Sequence, residues 1–83
     1  MNDTVIVQLQ IFGQKKQLHA DIELPLNIRA EQVIDALCKI YALDYTESSC
    51  LICENPVALI SGKQTLGEAG VRSGSIIKYF EVD

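Results

Sequence analysis

The chain has 83 residues, enough for one domain (1–83) and too few for two. Apolar residues make up 48% of it, which excludes disorder on composition, and no apolar run approaches the roughly 20 residues of a membrane helix. The net charge of −4, a pI near 4.8 and seven scattered Lys and Arg argue against nucleic acid as a partner, because phosphate contacts need clustered basic residues.

The opening Met1-Asn2-Asp3-Thr4 has no basic segment followed by an apolar stretch, so the expectation is a cytoplasmic protein without a secretory signal. Thr4 to Phe12 alternates, with Val5, Val7, Leu9 and Ile11 on one face and Ile6, Gln8, Gln10 and Phe12 on the other. Gly13 to Lys16 reads as a hairpin turn. The next run alternates again. Leu18, Ala20, Ile22 and Leu24 are expected inward and His19, Asp21 and Glu23 outward, with Pro25 ending the strand. His19 reads as a solvated strand residue, since no carboxylate or thiol at strand spacing supports a catalytic role.

From Arg29 to Leu43 the period becomes helical. Val33, Leu37, Ile40 and Tyr41 share a face, with Ile34 and Cys38 beside them and Asn27 as the expected N-cap. Asp35 and Lys39 form a favourable i,i+4 pair. Residues 44–49 read as loop. Cys50 to Cys53 and Val57 to Ile60 read as short strands around a Glu54-Asn55-Pro56 turn. Thr65 is placed to cap a single helical turn closed by Gly70 in a left-handed conformation. The last strand follows Ser73-Gly74-Ser75, with Ile77 and Tyr79 inward. A hairpin, a helix and further strands make an α+β domain.

Cys50-Leu51-Ile52-Cys53 matches C-x-x-C, and Cys38 makes three thiols. An odd number argues against a disulfide framework. A structural zinc site wants four ligands, and the remaining candidates are Cys38 and the lone His19. On a strand, residues three apart point to opposite faces, so Cys50 and Cys53 are expected to diverge and to serve as small packing residues. No metal, cofactor or catalytic residue is assigned.

The strand and helix order, with Gly62-x-x-Thr65-Leu66 and Ala69-Gly70-Val71-x-x-Gly74-x-x-Ile77, resembles ubiquitin-like β-grasp proteins, which implies a mixed sheet of four to five strands with one packed helix. Over its whole length the chain is similar to the EsaB/YukD family, small ubiquitin-like proteins of bacterial type VII (Esx/WXG) secretion systems. The resemblance is carried by the stand-alone length, by a helix after Pro25-Leu26-Asn27-Ile28 bearing Val33-Ile34-x-x-Leu37, and by a sequence that stops at Asp83 without a diglycine. Ser75 follows Gly74 where an acidic residue is common in such proteins.

The resemblance implies a non-catalytic accessory protein that docks to protein components of the secretion machine, without conjugation or membrane insertion. In ubiquitin the open sheet face is the usual recognition patch, at the position matched here by Ile52. Alternation puts Ile6, Gln8, Ile52, Ile76, Lys78 and Phe80 on that face, within an acidic rim of Asp21, Glu23, Glu54 and Glu81. Two alternatives stand beside this reading: a sulfur carrier or modifier on the same fold, and a small thiol- or metal-binding protein using Cys50 and Cys53.

Overall fold

The alternation of the first strand buries every second residue from Val5 to Ile11, and β2 folds back beside it as a half-buried edge. The computed structural model describes residues 3–15, 17–44 and 49–81. Its elements run β1 (Thr4–Phe12), β2 (Gln17–Pro25), α1 (Ala30–Tyr41), β3 (Cys50–Glu54), β4 (Ala58–Ser61) and β5 (Ile76–Phe80). The five strands form one mixed sheet in the order β2-β1-β5-β3-β4. β5 lies parallel to β1 and antiparallel to β3, so it joins the two hairpins.

The inward residues of four strands and α1 make one core. Val5, Val7, Leu9, Ile11, Leu51, Cys53, Ile60, Ile77 and Tyr79 meet Ala30, Val33, Ile34, Leu37 and Cys38, with Leu66 and Val71 closing one end. Most residues expected inward are found there, with Leu18, Ile22 and Leu24 of the edge strand half-buried. Ala20, expected inward, is exposed. It lies on the helix side of the edge strand, whereas α1 sits closest to β3 and β4.

α1 starts one residue later than its periodicity suggests and ends two residues earlier. Its N-cap is Arg29, not Asn27. Arg29 is held extended by a bridge to Thr65, while the Ala30 and Glu31 N–H groups donate to the Gln64 and Gly62 carbonyls at 2.9 and 3.0 Å. A distant turn thus satisfies the first helical donors, which must find partners outside the helix. The Gln32 carboxamide closes the end by accepting from the Arg29 N–H at 2.9 Å. Ala42, in a left-handed conformation, terminates the helix. Ile40, expected on the inward face, is 70% exposed. The buried stripe runs through Ala30, Val33, Ile34, Leu37 and Cys38, and Ile40 falls at its flank in the last turn.

β4 is shifted by one residue from the expected 57–60, because Val57 belongs to the turn and is 88% exposed. The Thr65 turn forms as expected. The Thr65 hydroxyl accepts from the Glu68 N–H at 3.1 Å, and the Glu68 carboxylate accepts from the Thr65 N–H at 2.9 Å. The Thr65 backbone N–H, and after it the Thr65 hydroxyl, hold the Glu68 carboxyl below its ordinary pKa. Gly70 has φ +83°, the left-handed geometry that favours glycine. Lys16 of the first turn and residues 45–48 of the loop after α1 lie outside the described residues.

Leu37 sits at the centre of the helix stripe, 5% exposed. Leu37→Ala should cost about 2–5 kcal/mol. That is a large share of the stability of a small domain, on the order of 5–15 kcal/mol. Urea denaturation of the two proteins measures it, and a loss under about 0.5 kcal/mol would contradict this core assignment.

Candidate functional site: the open face of the sheet

One face of the sheet carries α1 and the core, and the other is open. Strand register fixes what lies on it. Asp21, Gln8, Ile76 and Glu54 form one row across β2, β1, β5 and β3. His19, Gln10, Lys78, Ile52 and Leu59 form the next, reaching β4. Gln17, Phe12 and Phe80 form a third. All six expected site residues, Ile6, Gln8, Ile52, Ile76, Lys78 and Phe80, share this face.

The face divides by chemistry. Its β2 side, with Thr4, Gln8 and Gln10 of β1, is polar: Gln10 Nε2 lies 3.2 Å from His19 Nε2, and the Thr4 hydroxyl donates to Glu23 Oε2 at 2.8 Å. Its β5–β3–β4 half is largely apolar. Phe12 and Phe80 stack with ring centroids 4.7 Å apart and planes within 10°. Ile52 is half-buried, and its neighbour Leu59 is 64% exposed. Cys50 lies two residues along β3 from Ile52 on the same face. Phe12, Leu59 and Cys50 join the patch although the sequence expectation left them out. Phe12 could have been found from its strand alternation, whereas Leu59 needed the β3–β4 register. Ile6 and Ile76 sit apart from this group, behind Gln8.

Charge at the site is mostly paired. Lys78 and Glu54 form a salt bridge in the middle of the face. Glu81 does not belong to an acidic rim. Its carboxylate accepts from the Gln14 N–H at 2.9 Å and the Asp44 N–H at 2.8 Å, tying two loops to the end of β5. The unpaired acidic character of the expected rim therefore contracts to Asp21 and Glu23 on β2. Asp21 has no ion-pair partner among the described residues.

No family model matches the sequence, and no curated protein matches it. Solved structures do match in shape. A ubiquitin-like domain from tubulin-binding cofactor B superposes with a TM-score of 0.72 at 16% identity, covering 99% of this chain and 93% of that one. Tubulin-binding cofactor B of Trypanosoma brucei gives 0.72 at 15% identity, covering 98% of each chain. The C-terminal ubiquitin-like domain of mouse tubulin-specific chaperone e gives 0.66 at 16% identity, covering 98% of this chain and 91% of that one. The fold is a ubiquitin-like β-grasp. At such low identity the likeness carries the fold alone. The EsaB/YukD resemblance is finer than these matches reach.

In this β-grasp the three thiols are separated. Cys53 is fully buried on the helix side of β3, and Cys50 is half-exposed on the open side. Cys38 is buried in α1. Burial raises the Cys38 and Cys53 thiols above their ordinary pKa, against hydrogen bonds to Tyr79 and Ser75 that lower them. Among the described residues no group of three His, Cys, Asp or Glu could hold a metal ion, and no helix is long and apolar enough to cross a membrane.

Tyr79 anchors the loop after α1. Its hydroxyl donates to the Asp44 carbonyl at 2.7 Å and lies 3.8 Å from Cys38 Sγ. Burial, opposed by a hydrogen bond with Ser49, pushes the Tyr79 phenol up to about 12. The folded state therefore holds this proton more tightly than the unfolded chain, where tyrosine ionises near about 10. The stabilisation is complete below about pH 10 and is lost as pH rises through about 12. Tyr79→Phe should cost about 1–2 kcal/mol near neutrality. The gap between the variant and the wild type should narrow over that alkaline window, as read by denaturant melts. A gap that stays constant would contradict the assignment.

Proposed function

We propose that this ubiquitin-like domain is a non-catalytic docking module, acting in the cytoplasm as an accessory protein of a type VII secretion system. The observation that carries the docking reading is the apolar half of the open face, where stacked Phe12 and Phe80 adjoin Ile52, Cys50 and exposed Leu59. Core formation does not require large apolar side chains on the solvent side of the sheet. Their grouping fits a contact surface, and covering it would return about 25 cal/mol per Å² before association costs. The Lys78–Glu54 pair within the patch offers a polar contact that fixes orientation. The secretion assignment is supported by the sequence resemblance to the EsaB/YukD family. The reading gives the protein no turnover chemistry and no conjugated product.

Deleting the gene in its native host should abolish export of a small helical WXG-type substrate, and the wild-type gene should restore it. Ile52→Glu and Phe80→Glu should fail to restore export while melting within a few degrees of wild type. Both side chains are at least partly solvent-exposed in the free protein, and surface changes typically cost about 0.5 kcal/mol or less. Variants that restore export would move the contact surface elsewhere. A deletion that leaves export intact would remove the secretion assignment and leave the docking reading to be tested by direct binding.

A further inference from the structure

The sheet ends on one side in β2, a nine-residue strand with no neighbour beyond it among the described residues. Its hydrogen-bonding parity can be read from β1. Ile6, Gln8 and Phe12 direct their backbone groups to the β5 side: Gln8 N–H donates to Ser75, and the Ile6 and Phe12 carbonyls accept from Gly74 and Glu81. The odd residues of β1 therefore bond β2, and they face Leu18, Ala20, Ile22 and Leu24. The backbone N–H and C=O groups of Gln17, His19, Asp21 and Glu23 are left pointing out of the free edge.

We propose that two copies of this chain pair through β2, antiparallel about a two-fold axis at Ala20, to make one continuous ten-stranded sheet. Parity restricts the register, because only odd residues can bond across the edge. Centring on Ala20 sets His19 opposite Asp21 of the second copy and Gln17 opposite its Glu23. It places a cation-capable imidazole against the unpaired Asp21 twice. On the helix side it sets Leu18 against Ile22, both half-buried in the free chain, and Ala20 against itself. Centring on Asp21 would oppose two aspartates, and centring on Ile22 would oppose Asp21 to Glu23, which like charges disfavour. Centring on His19 would leave Glu23 beyond the end of the partner strand. The position of α1 nearest β3 and β4 leaves room at Ala20 for the approach. Exposed edges are commonly guarded by charged side chains, above all lysine, by proline or by bulges, and here the charges are Asp21 and Glu23, which the Ala20-centred register sets opposite His19 and Gln17. Between Gln17 and Leu24 this one has no lysine or proline, and its register to β1 is unbroken.

One strand from each copy buries little area, at or below the roughly 1,200 Å² of small specific interfaces, so association should be weak and concentration-dependent. The pairing goes beyond the docking role and uses none of its apolar patch. It would set two such patches on the same side of a joined sheet.

The test has two arms. Sedimentation equilibrium of the unmodified chain should show a monomer–dimer equilibrium below about 1 mM. Asp21→Lys, an exposed change, should weaken that equilibrium at least about tenfold, because it removes the carboxylate set against the His19 imidazole and puts an ammonium in its place. In a Cys50→Ser background, His19→Cys, Ala20→Cys and Asp21→Cys are then oxidised separately. Only Ala20→Cys meets its own copy within disulfide reach, so it should crosslink at least about tenfold faster than the other two. A monomer throughout that range overturns the proposal. So does a dimer indifferent to Asp21→Lys, or crosslinking that is fastest at His19→Cys or Asp21→Cys.

Discussion

The fold depends on the insertion of β5 between β1 and β3. Neither hairpin can bury its apolar face alone, and β5 is the strand that bonds to both. Its two inward residues, Ile77 and Tyr79, are fully buried between the hairpins. The same strand places Phe80 against Phe12 and Lys78 beside Ile52 on the other side. Core and candidate surface are thus two sides of a single five-residue segment. Glu81, immediately after it, holds the first turn and the segment after α1 in place. A fault in β5 pairing would disturb both sides together.

The open face shows how a small sheet keeps apolar groups on its surface. The rings of Phe12 and Phe80 shield each other by stacking. Ile52 is shielded in part by the chain around it, and Leu59 is the member left most open to water. Lys78, in the middle of the face, is matched by Glu54, so a partner meets little uncompensated charge there. The acidic side chains that remain free of such pairing lie toward β2, away from the apolar half.

Most of the fold was legible in the sequence because alternation and helical period are local signals. Val5 to Ile11 and Val33 to Cys38 declare their buried sides through spacing alone. What was not legible depends on distant contacts. The helix start is set by the Gly62 and Gln64 carbonyls, so Asn27, a better cap by type, is passed over. Helical period put Ile40 on one face with Val33, Leu37 and Tyr41, but it lies at the flank of the buried stripe. Val57 looks like a strand residue, yet it sits in the turn before β4. At the candidate site, strand alternation placed the six expected residues on one face. It could not say that Leu59 pairs beside Ile52, since that requires the register of β3 against β4. Nor could it show that Glu81 is consumed by two backbone N–H groups and is no part of a charged rim.

The parallel pairing of β1 with β5 also imposes an order in time. A chain emerging from the ribosome presents β1 and β2 first, with Val5, Val7, Leu9 and Ile11 already in register on one side. The strand that pairs with β1 on its other edge is made only after α1, β3 and β4 have all been synthesised. Through that interval the nascent hairpin keeps both of its strand edges open. Those are the features that chaperones engage and that lead to aggregation.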